Sequence, residues 1–137
     1  MLNFSSQLDK VLIIDFGSQV TQLIARRVRE IGVYCEVMPY NIAVISEIDK
    51  FSPKAIILSG SYASVNEVDS PDIDEKIFER NIPILGICYG QQLICHKLGG
   101  KVEGCDNREY GKSMLSIISD SEFFGDFWKK DYQYSVW

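Results

Sequence analysis

The sequence predicts an α/β fold, a three-layer sandwich in which a mostly parallel central sheet lies between layers of helices. Three observations lead to this prediction. Strand patterns alternate with amphipathic helix patterns along the chain, the strands are continuous apolar runs, and a polar or glycine-containing turn follows each of them. Parallel strands joined by right-handed crossovers satisfy all three, and such sheets place their chemistry beyond the carboxyl ends of the strands.

The first half of the chain predicts three strands and two helices. Residues 11–15 (VLIID) form a β-branched apolar run, typical of a strand covered on both faces. Ser18 is the expected N-cap of a helix that ends at Gly32. The buried face of this helix is predicted from apolar residues at helical spacing, which are Val20, Leu23, Ile24, Val28 and Ile31. The elements expected next are a strand over 33–38, a helix over Ile45–Phe51 and a strand over Ala55–Leu58.

The second half continues the alternation after a polar loop over 59–69. Ser70, Pro71 and Asp72 predict a helix start, because a capping serine, a first-turn proline and an acidic residue all favour a helix N-terminus. That helix is expected to run to Arg80. The later predicted elements are a strand over 82–87, a helix over 89–98 that stops at Gly99, and weaker strands over 101–103 and 114–118.

Length and charge narrow the class of protein. The 137 residues are expected to form one domain over 11–137 behind a short N-terminal extension over 1–10. A net charge of −5, with no run of more than two basic residues, argues against a nucleic-acid or anionic-membrane partner. No apolar stretch approaches the roughly 20 residues of a membrane helix, and the N-terminus lacks a signal-peptide layout. A cytoplasmic protein is therefore expected.

The cysteine and histidine content predicts no metal site. The four cysteines (Cys35, Cys88, Cys95 and Cys105) form no CxxC pair, and His96 is the only histidine. A zinc site needs three or four suitably spaced ligands. In a reducing compartment these cysteines are expected to be thiols, and each is by default a small buried apolar residue.

The strongest motif is Gly86-Ile87-Cys88-Tyr89-Gly90, between a predicted strand and a predicted helix. A G-x-nucleophile-x-G sequence in this context is typical of a nucleophile elbow, a turn so tight that the positions two before and two after the nucleophile tolerate no bulk. The N-terminus of the following helix favours the reactive thiolate, and its N–H groups can stabilise an oxyanion. The alternative is a structural cysteine in a glycine-bounded turn.

Two neighbouring features complete the candidate site. A cysteine nucleophile normally needs a histidine base, but His96 lies eight residues along the same helix, about 12 Å up its axis, and is expected to be a surface residue. Ser59-Gly60-Ser61 follows the third strand and could supply a second oxyanion N–H; the alternative is an ordinary βα loop. The segment 15–18 (DFGS) matches neither GxGxxG nor GxxxxGK, so dinucleotide or P-loop binding is not expected.

With these residues placed, the chain resembles the N-terminal, class I glutamine amidotransferase domain of the GMP synthases. The matching segments are VLIIDFGSQ (11–19), TQLIARRVREIGVYCE (21–36), IILSG (56–60), PILGICYGQQ (83–92), LGGKVEG (98–104) and REYG (108–111). The resemblance implies a flavodoxin-like sandwich and hydrolysis of glutamine through a cysteine thioester. It also implies that ammonia passes to an ATP-pyrophosphatase domain or subunit, which binds ATP and Mg²⁺ and aminates xanthosine monophosphate to GMP. No cofactor is then expected in the present domain.

The resemblance assigns roles residue by residue. Cys88 corresponds to the nucleophile, Tyr89 to the elbow-side oxyanion N–H, and Gln92 to a glutamine-binding residue. Gly60 and Ser61 correspond to the loop that supplies the other oxyanion N–H. The family loop reads Ser-Gly-Gly-Pro, whereas here a serine and a tyrosine follow Gly60, which puts the direction of that N–H in doubt.

A second departure leaves two function classes open. The sequence stops at Trp137, where the family continues with Ser-His-Gly-Asp and later the triad His and Glu. The chain is therefore either an incomplete amidotransferase domain or a non-catalytic remnant or binding module of the same fold. The aromatic residues near the end of the sequence favour incompleteness, since following elements would normally cover them.

Overall fold

The computed structural model describes residues 9–106 and 110–137. The described residues form two compact units, one that ends at Val102 and one over Glu103–Trp137. Most of the extension expected over 1–10, and most of the matching segment over 108–111, lie outside the described residues. Whether 11–137 acts as one domain stays a prediction.

The first unit contains a four-stranded sheet in the order β2-β1-β3-β4, and every neighbouring pair is parallel. This confirms the predicted parallel sheet. Because the strands run in one direction, their carboxyl ends meet at a single edge, where the turns that follow β1, β3 and β4 lie close together. The four strands are β1 (Lys10–Asp15), β2 (Tyr34–Pro39), β3 (Ala55–Leu58) and β4 (Ile84–Gly86).

The core has two parts, one on each face of this sheet. Successive side chains of a strand point to opposite faces, so Leu12 and Ile14 of β1 belong to one buried cluster and Ile13 to the other. The Ile13 cluster contains Ala25 of α1 (Thr21–Glu30). The other contains residues of α2 (Ile45–Phe51) and α3 (Tyr89–Lys97). Helices on both faces of the sheet confirm the three-layer sandwich.

Two details of α1 differ from the sequence prediction. Ser18 does not cap the helix: Val20 occupies the N-cap position, and the Ser18 hydroxyl accepts the Val20 N–H at 3.2 Å. The buried face is also rotated, since Thr21 and Ala25 are buried whereas Leu23 and Ile31 are 51% and 78% exposed. The prediction counted only apolar residues, and Thr21 is buried because partners inside the fold bind its hydroxyl.

The helix predicted over 70–80 was wrong in its start and its type. The structure has a short 3₁₀ helix over Glu75–Arg80, capped by Asp74, whose carboxylate accepts the Lys76 N–H at 2.9 Å. The Pro71 carbonyl accepts the Tyr89 hydroxyl, and Asp72 pairs with Lys97 at 2.8 Å. The Pro71 carbonyl, which a helix starting at this point would use as an acceptor in its first turn, is thus bound to α3 instead.

The second unit contains a hairpin-like pair of strands, β5 (Ser113–Ser116) and β6 (Gln133–Val136), which run antiparallel. The strand predicted over 114–118 corresponds to β5, whereas β6 was missed. The strand predicted over 101–103 is absent, and residues 101–105 have no regular structure. Trp128 packs against Phe124 and Tyr134, with ring centroids 5.6 and 5.8 Å apart. Within the described residues, none of the helices has the length and apolar character needed to cross a membrane.

Candidate active site

Cys88 occupies a strained turn between β4 and α3, at the carboxyl edge of the sheet. Its φ of 53° and ψ of −113° lie outside the regions that L-residues ordinarily adopt, at a cost of about 1–3 kcal/mol. The Ile87 N–H donates to the Leu58 carbonyl at 2.9 Å, and the Gln92 N–H donates to the Cys88 carbonyl at 3.2 Å. These bonds hold the turn from both sides and leave the cysteine exposed. The elbow geometry expected from the motif is present.

The two glycines of the motif are required by close packing. A Cβ atom added at Gly86 would lie 2.6 Å from the Gln91 nitrogen, and one added at Gly90 would lie 2.2 Å from the Leu58 carbonyl oxygen. Both neighbours are backbone atoms, which cannot move aside as a side chain would. This is the steric reason that a nucleophile elbow needs bulk-free residues at these positions.

The start of α3 presents a main-chain donor beside the thiol. Tyr89 is the first residue of the helix, so its N–H has no acceptor within the helix. The next N–H, of Gly90, is already bound to the Ser59 carbonyl at 3.1 Å. In the part of the chain that the structure describes, no hydrogen bond is made by the Tyr89 N–H. Gln92 lies one turn further on with an exposed side chain.

The loop after β3 lies against the elbow. A Cβ atom added at Gly60 would be 3.6 Å from the Cys88 Cβ and 3.3 Å from the Ser18 hydroxyl oxygen. Across residues 9–106 and 110–137, the Gly60 and Ser61 N–H groups donate no hydrogen bond. The structure therefore brings the predicted loop and the predicted nucleophile together, as the resemblance implied, although the catalytic roles of these residues stay predictions.

The departure from the family's loop sequence is accommodated without backbone strain. Ser61 does not have a positive φ, so it does not need the conformational freedom of glycine. Its hydroxyl accepts the Ala63 N–H at 3.2 Å, which closes a small turn. This hydrogen bond restrains the loop at the point where the family has a stiffening proline. Tyr62 is 77% exposed.

A buried hydrogen-bond network that the sequence did not reveal lies behind this loop. The Ser59 hydroxyl is 3.3 Å from the Phe16 nitrogen and 3.0 Å from the Thr21 hydroxyl. The Thr21 hydroxyl is in turn 2.9 Å from the Asp15 carboxylate, which also accepts the Gly17 N–H at 2.8 Å. The network connects the ends of β1 and β3 with the start of α1. The one sequence signal was a threonine on the buried side of an amphipathic helix.

Tyr89 also anchors the elbow through its side chain. Its ring packs against Phe16, with centroids 5.4 Å apart, and Phe16 stacks on Tyr40 at 5.9 Å. The hydroxyl donates to the Pro71 carbonyl. Burial raises the pKa of the Tyr89 phenol above its usual value, so this donor keeps its proton further into the alkaline range than an exposed tyrosine does.

The remaining cysteines and the histidine lie away from this arrangement. Cys35 is buried in β2, and its thiol donates to the Ala25 carbonyl at 3.5 Å. Cys95 is half-buried in α3, and its thiol lies 3.8 Å from the Lys101 carbonyl. His96 is exposed in the last turn of α3, the position expected of a surface residue. In the described part of the chain, Cys88 thus has no histidine in its surroundings.

We expect Cys88 to react first of the four thiols with a limiting amount of iodoacetamide below pH 7. Cys88 is exposed at the N-terminus of α3, whereas burial shields Cys35 and Cys95 lies inside the helix. Mass-spectrometric mapping after brief labelling measures the order. Cys105 is the informative competitor because it is exposed without a helix N-terminus. Labelling of Cys105 ahead of Cys88 would contradict an activated nucleophile.

The chain is similar to glutamine amidotransferases and to GMP synthases. The family model described as "Glutamine amidotransferase class-I" matches residues 12–136. The GMP synthase [glutamine-hydrolyzing] of Bartonella henselae is 54% identical over 132 residues, which are 96% of this chain and 25% of that protein. The protein of the same name from Brachyspira hyodysenteriae is 52% identical over 126 residues, 92% of this chain and 24% of that protein. The chain thus spans about a quarter of the length of the curated relatives it matches.

A solved structure shows the same fold. A Thermoplasma acidophilum protein, provisionally described as a GMP synthase subunit, superposes with a TM-score of 0.72 and 30% sequence identity. The match covers 95% of this chain and 63% of that one. The expected class I amidotransferase fold, with its mostly parallel sheet, is therefore confirmed.

Proposed function

The chain belongs to the class-I glutamine amidotransferase family, and on that premise we propose that its elbow carries out the nucleophilic half of glutamine hydrolysis. Cys88 is the nucleophile of this proposal. The N–H of Tyr89 and the N–H groups of Gly60 and Ser61 receive the oxyanion, and Gln92 contacts the substrate. The observation that carries the proposal is the position of Gly60 beside a strained, exposed cysteine at a helix N-terminus.

The reaction proceeds in two covalent steps. The Cys88 thiolate attacks the side-chain amide carbon of glutamine, the carbonyl electrons move onto oxygen, and the N–H donors stabilise that charge. The carbonyl then re-forms and the C–N bond breaks. The departing nitrogen takes up a proton and leaves as ammonia, and a thioester remains. Water adds to the thioester, the C–S bond breaks, and glutamate and the thiol are released. The net reaction converts glutamine and water to glutamate and ammonia, and it requires no cofactor.

These residues supply the nucleophile and the oxyanion donors but not the acid and base that move the protons. The single histidine, His96, lies eight residues from Cys88 and is exposed on α3. This observation favours the second candidate, a non-catalytic binding module of the same fold, for the 137 residues taken alone. Neither candidate predicts rapid ammonia release from these 137 residues, whereas capture of a glutamine-like electrophile at Cys88 supports the first.

We further propose a synthetase as the partner of this domain. The curated relatives carry the name GMP synthase and are about four times as long as the matched segment, and the solved relative is described as one subunit of such an enzyme. Ammonia formed at Cys88 would pass to an ATP-pyrophosphatase domain or subunit, where ATP and Mg²⁺ drive amination of xanthosine monophosphate. The cytosol, where a thiol stays reduced, is the proposed location.

The test is covalent capture by a glutamine-like electrophile. In a chloromethyl ketone analogue of glutamine, the Cys88 sulfur displaces chloride while the ketone oxygen occupies the oxyanion position. We expect saturable labelling of Cys88, protection by glutamine but not by asparagine, and no labelling of a Cys88→Ser variant at that site. Labelling that glutamine fails to slow would overturn the proposed substrate.

A further inference from the structure

We infer that Thr21 is a positioning residue for the oxyanion donors: its hydroxyl, oriented by Asp15, fixes Ser59 and thereby the N–H groups of Gly60 and Ser61 beside Cys88. The inference rests on the proposed function, because it concerns the carbonyl oxygen of glutamine. Thr21 touches neither the substrate nor the thiol in this scheme. It acts through Ser59, on a different strand, 38 residues away in sequence.

Ser59 is held at each of its polar groups. Its N–H donates to the Ile14 carbonyl at 3.0 Å, and its carbonyl accepts the Gly90 N–H at 3.1 Å. Its hydroxyl accepts the Phe16 N–H at 3.3 Å and lies 3.0 Å from the Thr21 hydroxyl. Because Ser59 is fully buried, water cannot replace any of these partners, so its position is set by them alone.

The carboxylate sets the direction of the hydroxyl bonds. An ionised carboxylate only accepts, so the Thr21 hydroxyl is the donor to Asp15 at 2.9 Å, and the same hydroxyl donates to the Ser59 oxygen at 3.0 Å. The Ser59 oxygen also accepts the Phe16 N–H, and the Ser59 hydroxyl donates to the Gly60 carbonyl at 3.3 Å. The chain of donors thus runs from Thr21 through Ser59 to the carbonyl of Gly60, whose peptide group carries the Ser61 N–H. No buried side-chain polar atom in the described residues lacks a hydrogen-bond partner.

Ser59 connects the two groups of proposed oxyanion donors. Gly60 follows it directly, and the Gly90 N–H that it binds lies next to Tyr89 in the elbow. Oxyanion stabilisation depends on donors held about 2.7–3.1 Å from the developing charge, so a small shift of the loop weakens it sharply. Loss of the Thr21 hydroxyl removes one of the two donors to the Ser59 oxygen and so loosens the serine whose hydroxyl holds the Gly60 carbonyl at 3.3 Å.

A pair of variants at Thr21 separates the effect of losing the hydroxyl group from the effect of changing the side-chain shape. Thr21→Val removes the hydroxyl and keeps the volume, whereas Thr21→Ser keeps the hydroxyl and removes the methyl group. For each variant, the rate of Cys88 modification is measured with the glutamine chloromethyl ketone and with methyl methanethiosulfonate, a thiol reagent without a carbonyl group. The ratio of the two rates reports the oxyanion donors, because a change in exposure or ionisation of the thiol moves both rates together.

We expect the ratio to fall about tenfold in Thr21→Val and to stay within about twofold of wild type in Thr21→Ser. An unchanged ratio in Thr21→Val, or equal loss in both variants, would overturn the inference while leaving the proposed function intact. A wild-type chain in which glutamine does not protect against the chloromethyl ketone would instead overturn the proposed function, and the inference with it. If Thr21→Val does not fold, Asp15→Ala, at a half-buried position, tests the same inference through the same ratio.

Discussion

Tested alone, the 137-residue chain is expected to release ammonia from glutamine at least about a hundredfold more slowly than a glutaminase with a positioned histidine base. The thiol has to lose a proton and the departing nitrogen has to gain one. The only histidine, His96, is exposed in the last turn of the helix that begins beside Cys88, about 12 Å along its axis. A coupled ammonia assay measures the rate, with Cys88→Ser as the background.

An activated substrate distinguishes a missing base from an inert cysteine. The γ-nitrophenyl ester of glutamate has a leaving group that departs as nitrophenolate without a proton, so acylation of Cys88 needs no acid. We expect a burst of about one nitrophenolate per chain, absent from Cys88→Ser. Ammonia release at ordinary enzyme rates, abolished by Cys88→Ser, would show that another residue serves as the base. Absence of both burst and turnover would favour the non-catalytic module.

The sequence was sufficient to predict the sheet and the elbow because both leave strong local signals. Continuous apolar runs such as 11–15 occur where a strand is covered on both faces, and the helices between them require parallel crossovers. The spacing of Gly86, Cys88 and Gly90 reflects contacts within one turn and with a neighbouring strand. The bounds of α2 and β3 also agree with the prediction, since each lies between clear turn signals.

The errors arose where a distant partner decides the local structure. The 3₁₀ helix over Glu75–Arg80 begins late because Pro71 and Asp72 bind groups of α3, which no local pattern reveals. Likewise, β6 is only four residues long, two of them apolar, and it becomes a strand through pairing with β5. Such pairing depends on main-chain hydrogen bonds, which every residue type can make.

The network behind the oxyanion loop was missed for a related reason. Asp15, Thr21 and Ser59 are ordinary polar residues in separate segments, and only the parallel register of β1 and β3 brings them together. The face of α1 was predicted from apolar residues alone, and that prediction did not include Thr21. A short polar side chain inside an otherwise apolar helical face was the available signal, and it indicates a buried hydrogen-bond partner.

Replacement of Gly90 by alanine is expected to destabilise the fold by about 3 kcal/mol and to slow the reaction of Cys88 with the glutamine chloromethyl ketone. The added methyl group would lie 2.2 Å from the Leu58 carbonyl oxygen and 2.7 Å from the Leu58 Cβ, so α3 has to move away from β3. That movement breaks the bond from the Gly90 N–H to the Ser59 carbonyl and displaces the Tyr89 N–H from the thiol. Urea unfolding measures the stability.

The expected loss of stability in Gly90→Ala is a strong test, because helix propensity alone predicts a gain of stability. Gly90 lies within α3, and in an unhindered helix alanine would be more stable than glycine by about 1 kcal/mol. Stabilisation by Gly90→Ala would therefore show that α3 does not pack against the Leu58 carbonyl as described. Gly104→Ala is the matched control, since nothing lies within 4 Å of its added Cβ and its φ is not positive. It is expected to change the free energy of unfolding by less than about 0.5 kcal/mol and to leave Cys88 labelling unchanged.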